Sequence, residues 1–172
     1  MTLTDINAHY RKNMCEQLAS ICQKQLGRLP TPTSEEKVGL FGHKKQEQER
    51  KTLCNALRGY FDVTLNGGEQ LGYDALCDAV WKELAGRVPY WRVIVRLCNE
   101  CELLDRDETQ LFPWERFLDA LDLMDLAMFL EDRYDVELRN EIADEVSLGS
   151  ISVNKLLNFL IPVIDELELL DD

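Results

Sequence analysis

Three observations predict an all-α chain. Apolar residues recur at spacings of three and four over several long stretches, as on one face of a helix. No stretch shows the strict apolar-polar alternation of a half-buried strand. The strongest punctuation, at Gly27, Pro30-Thr31-Pro32, Asn66-Gly67-Gly68 and Gly86, falls between those stretches. The 172 residues are 45% apolar, which excludes a disordered chain and supplies a core. No uncharged run approaches the ~20 residues that a membrane helix needs.

Taken in order, Ile6, Tyr10, Met14, Leu18, Ile21, Cys22 and Leu26 form the apolar face of a first helix that Gly27 stops. Pro30 and Pro32 then break the chain, because proline disfavours helix at the residue before it. Thr33 and Glu36 have the spacing of a capping box, whereas Gly39 and Gly42 predict a short or irregular segment there. A polar run from His43 to Lys51 leads into Leu53, Cys54, Leu57 and Phe61, which share a face. After the turn at Asn66-Gly67-Gly68, Tyr73, Leu76, Val80, Trp81 and Leu84 form another amphipathic helix ending near Gly86. Residues 1–87 are thus expected to be a helical N-terminal region packed on the remainder, residues 88–172.

The second region holds a more specific pattern. Asp119-Ala120-Leu121-Asp122-Leu123-Met124-Asp125-Leu126-Ala127-Met128-Phe129-Leu130-Glu131-Asp132-Arg133-Tyr134 resembles the second helix of the acyl carrier proteins. In that family an Asp-Ser-Leu triplet opens an acidic helix that ends in Leu-Glu-Glu and an aromatic. The resemblance extends over about residues 88–165. Pro89 to Leu103 looks like the family's first helix and Leu104 to Leu118 like its long loop. Val136-Glu137-Leu138 matches a short extended turn, and Ile151 to Leu160 the closing helix. The resemblance implies a carrier-like four-helix bundle. It does not imply carrier chemistry, because Ala120 stands where the family has the serine that carries phosphopantetheine, and an alanine has no oxygen to form the phosphodiester. Phe117, near a usual glycine, is a second departure. Ser147, Ser150 and Ser152 lack the Asp-Ser-Leu setting.

On this helix Leu123, Leu126, Ala127, Leu130 and Tyr134 form the stripe expected to face the core. Leu121, Met124 and Met128 form a second stripe edged by Asp122, Asp125, Glu131 and Asp132. In carrier proteins the matching positions touch partner enzymes, so the resemblance nominates Asp119, Leu121, Asp122, Met124, Asp125, Met128, Glu131 and Asp132 as partner-binding residues. The competing reading is that the second stripe packs under the N-terminal half, which must bury its own apolar faces somewhere.

Charge is unevenly divided. Residues 1–88 hold 12 Lys and Arg against 11 Asp and Glu, a net of +1, whereas residues 89–172 hold 7 against 21, a net of −14. Such a field repels nucleic acid and attracts basic protein surfaces, although a negative surface also serves solubility alone.

Evidence for catalysis is thin. His9 and His43 are the only histidines, no Gly-rich phosphate loop follows a strand, and no carboxylate pair stands out as acid and base. Cys98-Asn99-Glu100-Cys101 is a lone C-x-x-C without a second pair at zinc spacing or a nearby histidine. Redox motifs of this type begin a helix in a βαβ context, absent here, so the six cysteines read as buried structural thiols. No metal and no cofactor are expected. The N-terminus, Met1-Thr2-Leu3-Thr4-Asp5, lacks the basic-then-apolar pattern of a secretion signal, so a cytoplasmic location is expected.

The expected function is non-catalytic, stoichiometric binding of a protein with a basic surface. An immunity or neutralising protein that inhibits a basic toxin or enzyme is one concrete form. A degenerate carrier or regulator that docks on fatty-acid or polyketide synthesis enzymes is the alternative, and a small thiol-dependent enzyme using Cys98 and Cys101 the third.

Overall fold

A computed structural model describes residues 2–31, 40–65, 72–107, 109–136, 138 and 151–170. Six helices carry the fold among these residues, which makes the protein all-α, with a single short strand pairing. The chain divides into two compact units, Met1–Gly86 and Arg87–Asp172.

In the first unit, α1 (Leu3–Leu26) packs on α2 (Leu40–Phe61) and α3 (Tyr73–Ala85). Ile6, Tyr10, Met14, Leu18 and Cys22 are buried along one line of α1, each four residues from the last. They share the interior with Leu53, Leu57 and Phe61 of α2 and Leu76, Cys77, Val80 and Leu84 of α3. Helix α1 starts where it does because Thr2 and Asp5 cap it reciprocally. The Thr2 hydroxyl accepts from the Asp5 amide at 3.2 Å, and Asp5 accepts from the Thr2 amide at 3.2 Å. The helix ends at Gly27, whose φ of +69° lies in the left-handed region and whose amide bonds the Gln23 carbonyl. At the α1–α3 contact the Tyr73 hydroxyl donates to the Cys15 carbonyl at 2.6 Å, and Arg11 pairs with Asp78 at 2.6 Å.

Helix α2 corrects the expectation of a short or irregular segment around Gly42. Gly42 and the polar run His43 to Lys51 all lie within one helix of 22 residues. The physical reason is that Lys, Gln, Glu and Arg propagate a helix well without showing any apolar period. Glu47 and Lys51, four apart, pair at 3.0 Å on its surface, and Arg28 pairs with Glu49 at 2.9 Å. The proposed capping box at Thr33 and Glu36, Gly39, the turn at Asn66-Gly67-Gly68, Glu137, Ser147 and Ser150 lie outside the described residues.

The second unit opens with α4 (Val88–Glu100), whose Pro89 sits in the first turn, where no amide partner is lost. It is shorter than the expected Pro89–Leu103 because Cys101 caps it and Glu102 turns the chain with a φ of +61°. The following loop is anchored by buried Leu111, Pro113 and Trp114, and Phe112 stacks on Trp114 at 5.7 Å. Strand β1 (Arg116–Leu118) then pairs antiparallel with β2 (Ile151–Ser152), with an irregularity between Arg116 and Leu118. These residues were expected to be loop and helix respectively. Helix α5 (Ala120–Tyr134) follows β1, and α6 (Val153–Glu166) follows β2 directly, so the strand pairing ties the starts of the two helices together. Helix α6 packs on α4, where the Tyr90 hydroxyl donates to Asp165 at 2.9 Å and Arg96 donates to the Leu169 carbonyl at 3.1 Å.

Among the described residues, four non-glycine residues have positive φ, namely Asp62, Glu102, Asp135 and Glu168, at +53°, +61°, +54° and +53°. Each follows the end of a helix, where an anion also meets the negative end of the helix dipole. Two substitutions test these costs, one at Gly27, where a glycine already holds such a conformation, and one at Asp135, where it does not. Gly27→Ala meets no atom within 4 Å of the added Cβ, so it is expected to cost only the left-handed strain, about 1 kcal/mol. Asp135→Gly is expected to stabilise the second unit by roughly 0.5–1 kcal/mol. Urea unfolding of each variant checks both signs.

Candidate functional site

Helix α5 begins at Asp119 because its side chain replaces the amide partners that a first turn lacks. Asp119 Oδ1 accepts from the amides of Leu121 at 2.8 Å and Asp122 at 3.1 Å, and the Asp119 amide donates to Asp122 Oδ2 at 2.9 Å. This reciprocal cap occupies two of the eight nominated binding residues. A third, Glu131, is half-buried and accepts from the Leu138 amide at 3.1 Å, tethering the chain beyond the helix. Asp119, Asp122 and Glu131 therefore hold local structure.

The other five nominated residues lie on open surface. Leu121, Met124 and Met128 are 70%, 52% and 51% exposed, and Asp125 and Asp132 are exposed beside them. The opposite side is closed: Leu123, Leu126, Ala127 and Leu130 are buried, although Tyr134, expected in the same stripe, is only half-buried. Among the described residues of the second unit, no element covers these three apolar side chains. Arg133, the single cation of the helix, is engaged by Glu100 of α4 at 3.1 Å and lies 5.5 Å from the Phe129 ring centroid. The exposed face thus presents three long apolar side chains and two carboxylates. Ala120 stands at the first helical position, half-buried, with no group capable of attachment chemistry.

Burial raises four of the thiols, Cys22, Cys77, Cys98 and Cys101, and so disfavours their thiolate forms. Burial pushes Cys98 up from the ordinary thiol value to about 12, with the nearby Cys101 and Asp122 adding to the shift. Burial also raises Cys101, pushes Cys22 up to about 11 and pushes Cys77 up to about 12. The Cys98–Cys101 pair is not bonded, and the Cys101 thiol instead donates to the Cys98 carbonyl at 3.5 Å. All six cysteines are free thiols. Among the described residues no three His, Cys, Asp or Glu side chains converge as metal ligands would, and no helix is long and apolar enough to cross a membrane.

An open depression of about 510 Å³ lies along α4, lined by Arg92, Val95, Arg96, Asn99, Glu100 and Asp107. Its polar groups serve the fold: Arg96 reaches the Leu169 carbonyl, Asn99 donates to the Arg106 carbonyl at 2.8 Å, and Asp107 accepts from the Thr109 amide at 2.7 Å. It brings together no nucleophile and base.

Comparison with known proteins finds no match to a protein family, a curated protein or a solved structure. The α5 face therefore stands on its own geometry. On this helix, sequence reasoning did not separate capping carboxylates from exposed ones. The Asp-x-x-Asp spacing at 119 and 122 was the available signal, since a capping box needs an acceptor at each of those positions.

The thiol shifts have a measurable consequence. A thiol raised in the folded state stabilises the fold fully below the unfolded value of 9.0, and that contribution is lost as pH rises towards about 12. The unfolding free energy is expected to fall as pH rises above 9, with a shallower slope in Cys98→Ala. Native Cys98 is expected to resist alkylation at pH 8 and to react fully in denaturant. Rapid native alkylation at Cys98 contradicts this assignment.

Proposed function

We propose that this protein is a non-catalytic, stoichiometric binder of a protein with a basic surface, working through the exposed face of α5. The observation that carries the reading is the line Leu121, Met124 and Met128 standing exposed beside Asp125 and Asp132. Isolated exposed apolar residues are ordinary, but a contiguous line with a polar edge is the composition of a docking surface. Methionine suits such a surface, because its unbranched, polarisable side chain adapts to a partner's contours. The net of −14 over residues 89–172 adds a long-range attraction for basic partners. Neutralisation of a basic toxin or enzyme, as an immunity protein does, is the form of this reading that best fits an acidic chain whose described residues show no catalytic constellation. The carrier-like bundle is part of the proposal, supported by the resemblance of residues 88–165 and by the capped, acidic α5.

The opening Asp119-Ala120-Leu121 favours a second reading, in which the chain is a degenerate carrier that docks on lipid or polyketide synthesis enzymes. It and the first reading share one prediction. Incubation with a promiscuous phosphopantetheinyl transferase and coenzyme A is expected to leave the intact mass unchanged, because Ala120 has no hydroxyl. A gain of one phosphopantetheine contradicts both.

Affinity capture from the native cell, followed by mass spectrometry, tests the binding role. The expected partner is basic, is released as salt rises, and is lost when Asp125→Lys and Asp132→Lys are combined in the bait. Those two sites are chosen over Asp122, whose reversal would also break the cap of α5. Surface substitutions of this kind usually change stability by within about 0.5 kcal/mol, so the double variant is expected to remain folded. Capture that ignores both salt and the double reversal contradicts the acidic-face reading.

A further inference from the structure

The spacing on the exposed face of α5 selects a kind of partner element. Leu121 and Met128 are seven residues apart, as are Asp125 and Asp132, so each pair spans about 10.5 Å along the helix axis. At ~100° per residue the carboxylates form a second ridge, roughly 60° around the helix from the apolar one. An occupant of this face must meet an apolar ridge and, on one side of it, two negative charges about 10.5 Å apart. An extended strand puts same-face side chains about 6.7 Å or 13.4 Å apart, and neither interval fits. A helix puts residues seven apart about 10.5 Å along its axis, which fits both ridges.

A second copy of this chain is a poor occupant. Facing α5 helices related by a two-fold axis put the acidic ridges against each other when antiparallel. When parallel, they put each acidic ridge against the other copy's methionines. The first arrangement is repulsive, and the second buries carboxylates without partners. The chain's net charge of −13 opposes self-association further.

We infer that the exposed face of α5 receives a basic amphipathic helix of the partner, with cations seven residues apart beside an apolar ridge. This rests on the proposed protein-binding role and adds the partner's geometry to it. Met124 and Met128 pack against that ridge, and Asp125 and Asp132 meet the two cations.

Two fluorescent peptides of identical Leu and Lys composition test the inference on the full-length protein. One places lysines seven apart beside a leucine ridge in a helical pattern, and the other alternates Leu and Lys as a strand would. The helical peptide is expected to bind at least tenfold more tightly by anisotropy. That preference is expected to collapse in Asp125→Lys, Asp132→Lys and Met128→Ser, each checked for fold by circular dichroism. Equal binding of the two peptides, or indifference of the helical one to these variants, overturns the inference. If neither peptide binds but a folded basic protein, cytochrome c, binds in a salt-sensitive way that Asp125→Lys weakens, the helical partner is wrong and the acidic-face reading stands. If nothing binds, both fail. Concentration-dependent dimerisation in sedimentation, abolished by Met128→Ser, makes a second copy the occupant and also overturns the inference.

Discussion

The reciprocal cap of Asp119 and Asp122 fixes everything that follows it in α5. It sets the first helical residue, and with the start fixed, the helical repeat decides which side chains point inward. Leu123, Leu126, Ala127 and Leu130 then fall on the buried side, and Leu121, Met124 and Met128 have no choice but to stand outward. A start one residue later would rotate the pattern by ~100° and bring a methionine or an aspartate towards the interior. The pairing of β1 with β2 supports the same register from outside the helix, since Leu118 is buried immediately before the capping residue. The exposed face is thus a consequence of where the helix begins and what it must bury.

The acidity of the second unit is harder to explain by folding. Glu102, Asp135 and Glu168 sit in left-handed conformations after helix ends, where glycine or asparagine would be less strained. A negative charge there also opposes the helix dipole. Stability alone would not choose these residues at these positions. Other carboxylates do contribute to the fold: Asp119 and Asp122 cap, Glu131 holds Leu138, and Glu100 engages Arg133. The unit therefore mixes carboxylates that support structure with others that weaken it, and the second group fits a requirement for negative surface.

The long helices were legible because burial imposes a period. Ile6, Tyr10, Met14, Leu18 and Cys22 are all buried, as their spacing implied, and Gly27 stops the helix with the left-handed turn that glycine favours. The first half of α2 was hidden for the opposite reason. A solvated helix of Lys, Gln and Glu shows no apolar rhythm, so the two glycines drew the reading towards irregular structure. Strands of three and two residues are too short to show alternation, which is why β1 and β2 read as loop and helix. At the candidate site the residue type was informative and the role was not. An aspartate that caps a helix and one that faces solvent are chemically the same, and only the backbone distances at Asp119, Asp122 and Glu131 separate them from Asp125 and Asp132.

On the proposed reading, that separation divides the work of binding between two groups of charges. Beyond a Debye length of about 8 Å at physiological ionic strength, an exposed carboxylate acts mainly on how fast a basic partner arrives. The bulk of the 21 acidic residues of positions 89–172 would, on the proposed reading, act in this way. Asp125 and Asp132 differ because they adjoin Met124 and Met128, so a docked partner would exclude water from them as it covers the apolar ridge. Their effect would then fall on how long the partner stays, where most affinity differences arise. A diffuse field is easily replaced by other acidic sequences, but a ridge of two carboxylates in step with two methionines is not. On the proposed reading, specificity resides in those few positions of α5, and the remaining acidity serves recruitment.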